Sequence, residues 1–157
     1  MSSGRIYSVV FTDVAISATQ DLFNFTSTAN MAIRLRRLIL GQKTLNAWEA
    51  KGFTIKLFPA TVTAGSGGTA PTPQKMFTTQ GAATFTSRVN DTTAMTSNGT
   101  VVTSHSDDWV FTQGVDLLIP LGLNLIAGPS QGIAVNLTTA PSAPMTASGT
   151  AYIEELF

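Results

Sequence analysis

Short apolar runs alternate with polar positions along most of this chain, and Gly or Pro cuts them at close spacing. Residues 5–12 set Tyr7, Val9 and Phe11 against Ile6, Ser8 and Val10, a period of two that predicts a strand. Residues 22–26 place Phe23 and Phe25 on one side of a second. Phe53, Ile55 and Leu57 alternate with Thr54 and Lys56 and give the cleanest half-buried strand, which Pro59 stops. Residues 83–89 and 100–103 predict two more. Beyond Trp109 the runs continue through a turn at Gln113-Gly114, then 115–120, 121–127, 132–138 and 148–155, with a Pro/Ser/Ala linker over 140–144.

One stretch fits two periods. Met31, Leu35, Leu38 and Ile39 suit a helix, whereas Met31, Ile33, Leu35 and Ile39 suit a strand with Arg34 and Arg36 on its other face. Its neighbours are strands, so a strand is expected. Residues 44–51, with Trp48, predict a helical turn or a loop. Long loops are expected near 60–81 and 90–99. The Gly- and Pro-rich heart of the first, residues 64–73, is not expected to pack, and removing 62–75 is expected to leave the fold intact. A polar turn is expected at 105–108. The pattern predicts an all-β sandwich or barrel, one domain over 1–157, with no internal repeat.

Composition narrows what such a domain can do. Nine basic residues balance nine acidic ones, and charged residues are only 11% of the chain. That is less than half the usual share. No basic patch for nucleic acid or for an anionic membrane is expected. A sparsely charged, neutral surface favours association, so a subunit buried against copies of itself, as a homo-oligomer, or against a partner is expected. There is no cysteine, which excludes disulfides and thiolate sites. The start, Met-Ser-Ser-Gly-Arg-Ile-Tyr, lacks the basic head and long apolar run of a signal peptide, so folding in a cytoplasm is expected. Four Asn-x-Thr triplets, at Asn24, Asn90, Asn98 and Asn136, are read as unmodified.

Residue spacing speaks against a catalytic or cofactor site. His105, Asp107 and Asp108 fall within four positions, whereas triads and metal sites draw ligands from separate elements. Glu154 and Glu155 are adjacent, so on a strand they point to opposite faces. Gly65, Gly67 and Gly68 lack the Gly-Lys-Ser/Thr ending of a phosphate loop. No enzyme, cofactor or metal is expected. Trp48 and Trp109 suit core or interface positions better than sugar platforms. Arg34, Arg36, Trp48, Gly65, Gly67, Pro71 and Pro73 are the candidate partner contacts, the arginines through ion pairs.

Several segments also carry a resemblance. They are Phe11-Thr-Asp-Val-Ala-Ile-Ser-Ala-Thr-Gln-Asp-Leu-Phe23, Leu38-Ile-Leu-Gly-Gln42, Phe53-Thr-Ile-Lys-Leu57 and Asp108-Trp109. Leu118-Ile-Pro120, Gly132-Ile-Ala-Val-Asn-Leu137 and Thr146-Ala-Ser-Gly-Thr-Ala-Tyr-Ile-Glu-Glu155 complete the set. Together they resemble small jelly-roll virion proteins of tailed phages and prophages that decorate or cement heads. Leu121-Gly122 stands where that group commonly has a Pro-Glu pair. The resemblance implies a jelly-roll-like sandwich of about eight antiparallel strands, assembled as a trimer on the major capsid protein or another virion protein. It implies a place in the phage particle. The alternative is a receptor- or glycan-binding fibre or tail-tip domain on the same fold.

Overall fold

Alternation becomes strand throughout the described residues, 4–44 and 48–157 of this computed structural model. Four long strands come first: β1 (Arg5–Ile16), β2 (Gln20–Thr26), β3 (Ala32–Gln42) and β4 (Ala50–Phe58). A segment of shorter strands follows: β5 (Val62–Thr63), β6 (Gln74–Lys75), β7 (Thr86–Asp91) and β8 (Thr96–Ser97). Then come β9 (Val102–Val110), β10 (Val115–Leu118), β11 (Ile126–Ala127), β12 (Gly132–Leu137) and β13 (Met145–Leu156). Of the helical turn or loop expected over 44–51, residues 45–47 lie outside the described residues, Thr44, Trp48 and Glu49 are loop, and Ala50 and Lys51 already belong to β4.

The strands build two large antiparallel sheets, and β5 and β8 pair by themselves in a small third. One runs β10-β3-β13-β1-β6, with β11 also on β3, and the other runs β7-β2-β12-β4-β9. The pairings nest: β1 with β13, β2 with β12, β3 with β10 and β4 with β9. Eight strands in that nested order, split between two facing sheets, form a jelly roll. β13 shows the physical cause most simply. Its residues alternate buried and half-buried along all 12 positions, one face in the core and one toward solvent.

The inner faces interdigitate. Phe11 meets Phe23 across the sheets at 5.2 Å between ring centres, and Trp109 packs edge-on to Phe111 at 4.9 Å. Each fully buried large apolar side chain contributes about 1.5–3 kcal/mol. β3 is a strand, and its double periodicity has a cause. A bulge opposite Tyr152/Ile153 inserts one residue, so Leu35 and Leu38, three apart, both enter the core.

Residues 59–101 are an elaboration between β4 and β9. β6 extends one sheet beside β1, and β7 extends the other beside β2. The chain between them closes that side of the sandwich. The Tyr7 hydroxyl donates to the Gly81 carbonyl at 3.1 Å, and the Thr84 hydroxyl donates to buried Glu155 at 2.7 Å.

The segment expected not to pack is instead seated along the free edge of β7 and against Asn24 on the outer face of β2. Ser66 bridges Thr93, and Thr69 bridges Val89. Val62 joins Phe58, Met95 and Ala134 in a second, small apolar cluster. Beneath it β2 is buried on both faces, so Gln20, Asp21 and Asn24 lie in the interior. Backbone bridges and side-chain hydrogen bonds hold this layer, which is why no apolar run announces it. Removing 62–75 would uncover Phe58 and Met95 and take the Gly68 N–H from Asp91, so the expectation of an intact fold is withdrawn.

Candidate functional site

The two sheets end side by side at β9 and β10, and residues 111–125 cover the gap between them. Gly114, at φ +71°, makes the turn into β10, where any Cβ would crowd the Leu40 carbonyl at 2.8 Å. β10 stops at Leu118. The Ile119 N–H donates to the Arg36 carbonyl and its side chain turns inward. Pro120 then opens a tight turn that Leu123 N–H closes onto the Pro120 carbonyl. That turn throws Leu121 and Leu123 outward beside Leu118, each about two-thirds exposed, at 65%, 65% and 66%. Behind them lies a cleft of about 280 Å³ lined by His105, Leu117, Ile119, Leu123 and Leu125. Single exposed leucines are ordinary, but three in a row over an apolar cleft mark an interaction surface.

The polar turn expected at 105–108 is part of β9, which pairs β4 from Leu57↔Val102 to Ala50↔Val110. As an edge strand it exposes polar residues on both sides, so its alternation is hidden in the sequence. His105, Asp107 and Trp109 share one side of it, and Asp108 the other. The His105 ring lies 6.0 Å from Phe53, and Asp107 accepts the Asp108 N–H at 2.8 Å. Among the described residues, no three His, Cys, Asp or Glu side chains gather as a metal site.

The opposite edge of the first sheet carries a second apolar surface. Met76 and Phe77 follow β6 and are 45% and 69% exposed. With Arg5, Ile6 and Gln80 they frame a depression of about 700 Å³. The Arg5 guanidinium sits 4.8 Å from the Phe157 ring centre.

The sequence-predicted contacts do not form one surface. Arg34 and Arg36 lie on the solvent face of the first sheet and converge on Glu154 at 3.6 and 2.9 Å. Gly65 is buried against the outer face of the second sheet, where a Cβ would press on the Thr93 carbonyl at 2.6 Å and on Asn24 at 2.8 Å. Gly67 follows with φ +94°, and the Pro71 carbonyl accepts the Ser87 hydroxyl at 2.6 Å. Pro73 leads into β6 and is half-buried. Trp48 is 72% exposed, whereas Trp109 is fully buried. Sequence reasoning missed Leu118, Leu121, Leu123, Met76 and Phe77. The available signal was a Leu-rich turn after Pro120 that is too short and Gly-broken to be a core strand.

Beside Arg36, the Arg37 guanidinium makes two hydrogen bonds to Asp116, at 2.8 and 2.7 Å, and holds that carboxyl below the usual range. Compared with protein-family models, curated proteins and solved structures, the chain gives no match.

Proposed function

We propose that this chain is a structural subunit of a phage virion that attaches to the assembled head shell as a decoration or cement protein. The carrying observation is exposed apolar surface at both edges of one sheet, Leu118, Leu121 and Leu123 at one and Met76 and Phe77 at the other. A neutral, sparsely charged jelly roll with such edges suits adhesion, and the sequence resemblance supplies the virion context. The mechanism is adhesive. Contacts made only with the assembled shell stabilise that state by mass action.

Exposed Trp48 favours a second reading, a glycan-binding fibre or tail-tip domain that stacks a sugar on its ring. The deciding measurement is the copy number in purified particles, by quantitative peptide mass spectrometry against the major shell protein. A simple fraction of the shell count supports decoration. A handful of copies per particle supports the fibre reading, and absence from particles overturns both.

A further inference from the structure

We propose that Asn98 is a site of spontaneous covalent modification, cyclising onto the Gly99 nitrogen and reopening as aspartate or isoaspartate, and that this unfastens the β5–β8 pair. The inference stands independently of the virion reading. Asn98 alone among the asparagines is followed by glycine. A residue without Cβ leaves the attacking nitrogen unscreened. Glycine is also required there by packing, since a Cβ at Gly99 would lie 2.5 Å from the Pro59 ring. The fold therefore keeps the reactive pair together.

The structure separates Asn98 from the other Asn-x-Thr asparagines. Asn24 is buried and its amide donates to Asp91 at 2.9 Å. Asn90 is buried and accepts the Gln20 amide at 3.0 Å. Asn136 donates to Asp21 at 2.8 Å. Asn98 is exposed, and its carboxamide has no hydrogen-bond partner among the described residues. Its Cγ is free to turn onto the next backbone nitrogen, already adjacent in the chain. The Gly99 N–H is held only by a long bond to the Ser97 hydroxyl, at 3.3 Å. In the reaction that nitrogen loses its proton to solvent and attacks Asn98 Cγ. A C–N bond forms, the Cγ–Nδ2 bond breaks, and ammonia leaves with a proton from solvent. Water then opens the resulting succinimide at one of its two carbonyls, giving aspartate or isoaspartate. No oxidant or reductant is needed.

The position gives the change a structural consequence. Asn98 follows β8, whose pairing with β5 consists of Val62↔Ser97 and Thr63↔Thr96. The Asn98 N–H extends that pairing by donating to the Thr61 carbonyl at 3.2 Å, and Gly99 rests against Pro59. Isoaspartate inserts an extra backbone carbon between these two anchors and adds a carboxylate. A pair of two-residue strands has little to hold it against that displacement. Val62, which packs with Phe58, Met95 and Ala134, is released with it. Such local opening requires less free energy than global unfolding.

The test ages the purified full chain at mildly alkaline and mildly acid pH and digests it with a protease that cuts before aspartate. Cuts before Asp91 and Asp107 release peptide 91–106, in which Asn98 is the sole amide side chain. Its mass is expected to change by the exchange of NH2 for OH, faster in alkali because the nitrogen must lose its proton. The aspartate form is expected to be cut again at position 98, and the isoaspartate form to resist. Asn24, Asn90 and Asn136 are expected to stay amides. Asn98→Gln, at an exposed position, is expected to keep the circular dichroism spectrum and to react about tenfold more slowly or less, because its ring closure is less favourably placed. Limited proteolysis is expected to cut aged wild type within 59–63 or 96–101 sooner than fresh protein, and aged Asn98→Gln no sooner. A native chain that keeps Asn98 while the same chain in urea loses it, equal conversion at the buried asparagines, or aged protein that resists protease as fresh protein does would each overturn the proposal.

Discussion

Asp21 on β2 and Asp91 on β7 stand directly opposite each other beneath the 59–73 layer, and their carboxyls are held in opposite ways. Burial pushes the Asp21 carboxyl up, more than the Met95 N–H and the Asn136 amide, both at 2.8 Å, draw it down. Burial also acts on Asp91, but it is outweighed by the Arg88 guanidinium, the Asn24 amide and the Gly68 N–H, each at 2.9 Å, so that carboxyl sits below its ordinary value. One buried acid is stabilised as an anion and its neighbour is strained as one.

The two therefore respond differently to neutralisation. Asp91→Asn leaves Arg88 without its counter-charge and is expected to cost about 2–3 kcal/mol at neutral pH. Asp21→Asn removes an ionised group that burial disfavours and is expected to cost less than about 1 kcal/mol. The pH dependence has opposite signs. The depressed Asp91 contributes stability that is present above the ordinary value of 3.8 and lost as pH falls through its folded value. The raised Asp21 imposes a cost that sets in as pH rises above 3.8 and is complete above its folded value. Urea midpoints of both variants from neutral pH into acid measure this. The Asp91→Asn deficit should vanish in acid, and an equal deficit for both at neutral pH would contradict the assignment.

The glycine seat of the 59–73 layer makes a second prediction. A Cβ on Gly68 would collide with the Val89 carbonyl and the Asn90 backbone, whereas one on Gly122 meets nothing within 4 Å. Gly68→Ala is expected to cost about 1–3 kcal/mol and Gly122→Ala to stay near wild type. Thermal melts compare them. Proteolysis should open the 59–73 segment of Gly68→Ala first, because local release needs less than global unfolding.

The two tryptophans separate cleanly. Trp109→Ala empties a fully buried site beside Phe111 and is expected to cost about 3–5 kcal/mol. Trp48→Ala is expected to change stability by less than about 0.5 kcal/mol, since the ring is 72% exposed. Iodide should quench the Trp48 fluorescence of the native protein and spare that of Trp109. Equal quenching of both would contradict the burial.

The main sandwich was legible because its strands bury one face, and a half-buried face writes period two into the sequence. β1, β4 and β13 are such strands. Legibility fails where that condition fails. β9 is exposed on both sides for most of its length, so His105, Asp107 and Asp108 look like a turn. β2 is buried on both sides, so Asp21 and Asn24 look like solvent residues until the 59–73 layer is placed over them. That layer is held by backbone bridges at Ser66 and Thr69, which leave no apolar signature. Leu118, Leu121 and Leu123 look like core by residue type, and only the short, Gly-broken run around Pro120 speaks against a core strand there. The candidate contacts Arg34 and Arg36 were visible as charges, but their partner Glu154 lies more than a hundred positions away in the chain.

Glu154 makes the last prediction. It is the counter-charge for two guanidiniums, Arg34 at 3.6 Å and Arg36 at 2.9 Å, with all three side chains less than a quarter exposed. Removing one arginine leaves the other paired, so Arg34→Met or Arg36→Met is expected to cost less than about 1 kcal/mol. Glu154→Ala leaves two half-buried like charges facing each other and is expected to cost about 1–3 kcal/mol. Salt should narrow that deficit, because mobile ions screen the repulsion between the two guanidiniums over about 10 Å at 0.1 M. Urea midpoints of the three variants at low and high salt decide it. A Glu154→Ala loss that does not change with salt would mean packing of the side chain, and not its charge, is what the two arginines lose.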